Sequence, residues 1–101
     1  MRPVVWSNTA RDDTIQILRY IADHDHAAAA RVIDAIDDAA KALGKHAVGR
    51  PGRVTGTYEK SLSRPPYIIC FELQSIDGRD SVVILRIIHT ARNWPAEDWP
   101  A

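Results

Sequence analysis

The chain's long apolar run from Ser81 ends at His89 and is broken by Arg86. An imidazole titrates near neutral pH, so His89 is the best acid or base in the chain. Arg92 follows it, and Tyr58, Glu59, Lys60, Arg64, Arg50 and Arg53 precede it. Attack of a ribose 2′-hydroxyl on a phosphodiester needs a base, an acid for the leaving oxygen, and cations for the charge that develops. Those residue types are present. Whether they meet depends on strand alternation. In a regular strand His89 shares a face with Val83, Leu85 and Ile87, and Arg86 shares the other with Ile84 and Ile88. The two then do not cooperate directly, which counts against a nuclease. Each residue also has a plain structural role open to it. His89 can close a strand by bonding a backbone carbonyl. Arg86 can pair across a sheet with Glu72 or Glu59, as interior arginines usually do. Arg50 and Arg53 flank Pro51-Gly52 and can simply be solvated.

Other chemistries find less support. Cys70 lies inside Tyr67-Ile68-Ile69-Cys70-Phe71 and reads as a small buried hydrophobe rather than a nucleophile. No Cys/His cluster has zinc spacing, and His24 and His26 flank Asp25 in a way that rarely converges on one ion. No metal or cofactor is expected. Gly49-Arg50-Pro51-Gly52 resembles a phosphate loop only superficially. Trp94 and Trp99 sit in a proline-bearing tail, where tryptophan either packs back on the core or anchors a partner.

A chain of 101 residues fits one domain, with 46% apolar residues and thirteen basic against thirteen acidic side chains. No field of one sign is implied, which argues against simple phosphate binding, although local clusters still matter. A single cysteine requires no oxidising compartment. No stretch approaches the ~20 apolar residues of a membrane span, and the N-terminus has no signal-peptide h-region. A cytoplasmic location is expected.

The elements that must position these residues follow from periodicity. A strand is expected over Pro3 to Trp6. Ser7 or Thr9 caps a helix from Ala10 to His24, with Asp12 and Asp13 in its first turn. Asp25 caps a second helix from Ala27 to Leu43, whose Ala29, Val32, Ile33, Ile36, Ala40 and Leu43 form one stripe. Gly44 stands where a left-handed residue would stop it. The short link makes an αα-hairpin. Lys45 to Gly56 reads as loop, Thr57 to Leu62 as strand, and Ser63 to Pro66 as turn. Tyr67 to Leu73 reads as a central strand. Asp77-Gly78 signals a hairpin turn before the strand Ser81 to His89. The order β-α-α-β-β-β gives a two-layer α+β domain, a helical hairpin packed on an antiparallel sheet, over residues 1–95, with a short tail at 96–101.

That order and several strings resemble the RelE/ParE toxin superfamily. They are Val4-Val5-Trp6-Ser7 with Ala10 and Asp13; Tyr20-Ile21-Ala22; Ala28-Ala29-Ala30-Arg31; Gly49-Arg50-Pro51-Gly52; Gly56-Thr57-Tyr58-Glu59; Pro66-Tyr67-Ile68-Ile69; and Val83 to Arg92 with Trp94-Pro95. The Gly-Arg-Pro-Gly loop and the ending are ParE-like. Where the family often has arginine before the glutamate of its second strand, this chain has Tyr58, so that arginine's role is unfilled. The resemblance implies a toxin of a type II toxin–antitoxin module that inhibits DNA gyrase and is neutralised by a cognate antitoxin. Such a toxin meets no membrane and makes no specific DNA contact alone. Arg50, Arg53, Arg86, His89, Arg92 and Trp94 would then face the target. Ile15, Leu18 and Tyr20, on the outer helix faces, would face the antitoxin. The alternative branch is a ribosome-dependent mRNA endonuclease, with His89, Arg92, Lys60 and Arg64 as its catalytic set. A family member that only pairs with its antitoxin is a third possibility.

Overall fold

Ser7 sets the first boundary in the molecule. In the computed structural model, which describes residues 1–62 and 64–90, its side chain accepts from the Ala10 backbone N–H at 3.0 Å. That is N-cap geometry, so helix α1 runs Asn8–Ala22, two residues earlier than periodicity suggests. Asp12 and Asp13 consequently leave the first turn, and their expected role at the helix dipole goes with them. Asp25 accepts from Ala28 N at 3.1 Å and caps helix α2, His26–Lys45. The strands are β1 (Val4–Trp6), β2 (Arg50–Pro51), β3 (Tyr58–Ser61), β4 (Tyr67–Ile76) and β5 (Arg79–His89).

The strands form one five-stranded sheet in the order β1-β5-β4-β3-β2. The α+β class and the helical hairpin on the sheet stand as the sequence implies. The sheet itself is mixed: β1 joins β5 in parallel, and the other pairings are antiparallel. Parallel entry follows from chain direction, because β1 runs straight into the helix that covers the sheet. The stretch expected as loop contributes β2, whose Arg50 lies opposite Glu59. Pro51 is tolerated there because β2 is an edge strand. Asp77 and Gly78 both have positive φ, 51° and 77°, which suits the two-residue turn joining β4 to β5.

The core between helices and sheet contains Ala10, Ile36, Ala40 and Leu43 from the helices and Ile69, Phe71, Val82, Ile84 and Ile87 from the sheet. A second, smaller cluster of Cys70, Val83 and Leu85 lies on the opposite sheet face. No described helix is long and apolar enough to cross a membrane.

Gly44 does not end α2; it lies inside it, buried. The Arg2 N–H donates to its carbonyl at 2.7 Å. A Cβ at Gly44 would sit 2.7 Å from the Arg2 carbonyl oxygen and 3.0 Å from Val4 Cγ2. Close approach of β1's leading residues, not a left-handed turn, explains the glycine. In an open helix Gly→Ala gains about 1 kcal/mol. Here Gly44→Ala should instead lose about 1–3 kcal/mol in urea unfolding, because the β1 backbone must shift.

Candidate functional site

The end of β5 departs from regular alternation. Cys70 faces Arg86 and Phe71 faces Ile84, so Leu85 is an extra residue, a β-bulge. Up to the bulge, Val82 and Ile84 face the helices while Val83 and Leu85 face away. After it, Ile87 faces the helices. His89 therefore lies on the helix side, opposite Tyr67, with the two rings edge to face at 5.3 Å. The expected grouping of His89 with Val83 and Leu85 is reversed. A bulge cannot be read from an apolar run in which both faces are buried.

β1 stops at Trp6, so the edge of β5 beyond Ile84 has no strand beside it among the described residues. Helix α1 takes that place. Ser7 N donates to the Ile84 carbonyl at 2.9 Å, and Ser7 Oγ to the Leu85 carbonyl at 3.0 Å. Asp13 then accepts from the Ile87 N–H at 3.0 Å and from Arg86 Nε and Nη2 at 3.1 and 2.9 Å. Both side chains of this ion pair are nearly buried, 12% and 11% exposed. Arg86 is paired, as an interior arginine should be, but with Asp13 on the helix rather than Glu72 or Glu59 on the sheet. The signal lay in the sequence: Asp13 is three residues after buried Ala10 and four before Ile17, on α1's apolar side.

Arg86 and His89 consequently line one recess of about 490 Å³ with Asp13, Gln16, Tyr20 and Tyr67. Opposite strand residues share a face, so Lys60, paired with core residue Ile69, points to the same side of the sheet as His89. Two strand spacings and two residues separate their backbones, about 12 Å. Arg64 is exposed in the turn at the same end of the sheet, where Thr90 N donates to the Pro66 carbonyl. Arg92 and Trp94 lie outside the described residues, as do the domain boundary at 95 and the tail.

Arg50 and Arg53 are not merely solvated. Both reach Glu59, which is 5% exposed on the sheet face turned from the helices. Arg53 donates through its backbone N and its Nε to Glu59 Oε2, each at 3.0 Å; Arg50 Nη2 approaches Oε1 at 3.4 Å. Burial pushes the Glu59 carboxyl up, but the Arg53 hydrogen bonds and the two positive charges outweigh it and hold the group below its ordinary value. Cys70 lies opposite Glu59; burial, with that carboxylate's help, pushes its thiol up to about 12, so it stays protonated at neutral pH. Tyr58, in the family's arginine position, stacks on Phe71 at 5.6 Å. Its ring extends the core where the arginine would add charge. Among the described residues, no three His, Cys, Asp or Glu side chains could hold a metal ion.

Of the proposed antitoxin contacts, Ile15 and Leu18 are 45% and 39% exposed and Tyr20 is 72% exposed. Ile15 and Tyr20 lie in different recesses. Ile15 lines a groove of about 420 Å³ between the helices with Trp6, Ile33 and Ile36, rimmed by Asp34 and Asp37. Tyr20 belongs to the His89 recess.

Asp13→Ala should cost about 3–5 kcal/mol in denaturant unfolding, since it strands a nearly buried guanidinium. Adding Arg86→Met should recover the charge part. A deficit of about 1–3 kcal/mol should remain for the unpaired Ile87 N–H. Glu59 predicts a pH effect of definite sign. Its folded-state value lies below its unfolded one, so its stabilisation is complete above pH 4.5 and is lost as pH falls through the folded value. Glu59→Gln should therefore flatten the acid limb of a stability-versus-pH curve; an unchanged limb would show that the arginines add nothing.

Comparison with known proteins agrees with this architecture. Residues 4–94 match the family described as ParE toxin of type II toxin–antitoxin system, parDE. A Sinorhizobium fredii protein named "Putative toxin Y4kP" is 40% identical over 91 residues, covering 89% of this chain and 90% of that one. The solved chromosomal ParDE toxin–antitoxin system of P. aeruginosa contains a chain of the same fold, with a TM-score of 0.77 and 26% identity. The match covers 88% of this chain and 96% of that one. The RelBE2 toxin–antitoxin complex of Mycobacterium tuberculosis also matches, with a TM-score of 0.61 and 26% identity over 87% of this chain and 96% of its own. With a strand, a helical hairpin and a bulged meander all inside the matched span, the chain belongs to the ParE toxin family of type II toxin–antitoxin systems.

Proposed function

We propose that this toxin acts by binding DNA gyrase and blocking it without covalent chemistry of its own, and that a cognate antitoxin holds it inactive. The observation that carries this reading is the allocation of charge. A phosphorane needs cations whose charge is available to it. In the recess beside His89, Arg86 spends its charge on Asp13, and on the other sheet face Arg50 and Arg53 share Glu59. Such a surface suits recognition of a protein better than cleavage of RNA. Arg86, His89 and the rim of their recess are the target-facing residues on this reading, joined by Arg92 and Trp94. The ParE family match and the higher TM-score to the ParDE system point the same way.

The antitoxin's place is the groove between α1 and α2. Its floor is apolar, and its rim is acidic at Asp34 and Asp37 with Arg11 beside them. An amphipathic segment laying aliphatic side chains on Ile15 and Ile33 fits that chemistry.

One observation favours a second reading. The bulge puts His89 on the same sheet face as Lys60, and the pairing with Asp13 draws Arg86 into the recess that His89 lines, which weakens the geometric objection to an mRNA endonuclease. The two readings separate cleanly. Purified toxin at saturation should abolish gyrase supercoiling and trap cleaved DNA, and antitoxin-free expression should raise DNA damage before translation falls. Normal supercoiling, with cuts in translated mRNA that His89→Ala abolishes, would overturn the gyrase reading in favour of the endonuclease.

A further inference from the structure

We infer that a recess at the opposite end of β5 binds a dianionic phosphate group, of the kind carried by inorganic phosphate or by the 5′ end of a nucleic acid. The recess holds about 420 Å³ and is lined by Met1, Arg2, Pro3, Gly44, Lys45, Arg79 and Asp80. It lies some ten residues along β5 from His89, about 33 Å away. The two sites are therefore separate, and this inference does not depend on the toxin's target.

Three elements bring the cations together: the segment before β1, the last turn of α2 and the first residue of β5. Two backbone bonds fix their approach, Arg2 N to the Gly44 carbonyl at 2.7 Å and Val82 N to the Pro3 carbonyl at 2.9 Å. Among the described residues, none of Arg2, Lys45 and Arg79 has an acidic partner. Arg2 Nε is shielded from solvent and bonded to nothing, the one buried side-chain nitrogen or oxygen so placed among those residues. An orphaned donor of this kind is costly. Elsewhere this fold matches its inner guanidiniums with carboxylates, Arg86 with Asp13 and Arg53 with Glu59. The exception at Arg2 therefore points to an acceptor that arrives from outside.

Charge and shape select the ligand. Three cationic side chains against Asp80 leave a side-chain surplus of two, which a dianion neutralises. Two planar guanidiniums and an ammonium suit a tetrahedral group with three terminal oxygens better than a planar carboxylate. The cluster is isolated, whereas tracking a nucleic-acid backbone takes a row of cations, so an end phosphate fits and an internal one does not. The negative end of α2 points here, but Arg2 N–H occupies the Gly44 carbonyl and His46 N–H the Ala42 carbonyl, which blunts it.

The test titrates the whole chain with inorganic phosphate at constant ionic strength, following backbone amides by NMR. Saturable shifts are expected at Gly44, Lys45, Arg79 and Asp80. Arg79→Gln, at an exposed position, should weaken binding about tenfold or more. Asp80→Asn should tighten it severalfold, an effect that damage to the fold cannot mimic. An oligonucleotide with and without a 5′ phosphate identifies the source: dependence on that phosphate assigns a nucleic-acid end, and shifts with inorganic phosphate alone assign the free ion. Shifts that never saturate, or that match those from chloride, overturn the inference, as does an Asp80→Asn variant that binds no better.

Discussion

The Asp13 carboxylate is the point on which this fold turns. Three hydrogen bonds converge on it from two consecutive residues of β5. Each answers a different demand. Ile87 N–H lies on a sheet edge that β1 does not reach, and an unmet buried N–H costs about 1–3 kcal/mol. Arg86 carries a charge into a nearly dry position, where desolvation exceeds Coulomb gain unless the geometry is good and the remaining donors are met. Helix α1 needs a fixed azimuth on the sheet, and its apolar contacts alone leave that loosely set. One carboxylate meets all three demands, at a separation of more than seventy residues in sequence.

Ser7 supports it from nearly two turns away. The residue ends β1, caps α1 and donates to the Leu85 carbonyl, so strand, helix and bulge share one hydroxyl. Ser7 and Asp13 together act as a substitute strand along the bare edge of β5. This is why β1 can be only three residues long and still seat a fifteen-residue helix. It also explains why the bulge is tolerated. An extra residue disrupts a ladder, and the disruption falls where helix side chains, not another strand, take up the loose backbone groups.

Local chemistry was legible in the sequence, and long-range chemistry was not. Ser7 and Asp25 as caps, Asp77-Gly78 as a turn and the helix-two stripe depend on neighbours within four residues. The resemblance of strings and their order identified the family. Three features lay beyond that reach. Leu85 as an extra residue is invisible where both faces of a strand are apolar, since alternation then carries no phase. The pairings of Arg86 with Asp13 and of Arg50 with Glu59 depend on elements meeting in space. Gly44 carries the usual mark of a helix end, yet it answers to the β1 backbone packed against it. In each case a residue type with two physical uses was put to the less local one.

The same contrast bears on how a chain without net charge could recognise anything. Thirteen positive and thirteen negative side chains give no distant field to steer a partner. Specificity must come from where charges are left over after internal pairing. At the His89 end the fold cancels Arg86 against Asp13 and lines a recess with aromatic rings and an imidazole. On the helix groove it leaves carboxylates around aliphatic side chains. At the Arg2 end it leaves cations. A neutral sum thus conceals three surfaces of different chemistry on one small domain. Because Asp13 fixes the angle between α1 and β5, it fixes both the recess and one wall of the groove. On the proposed assignment, target face and antitoxin face are two sides of the same helix, so a ligand that tilts α1 on one side would couple to the other.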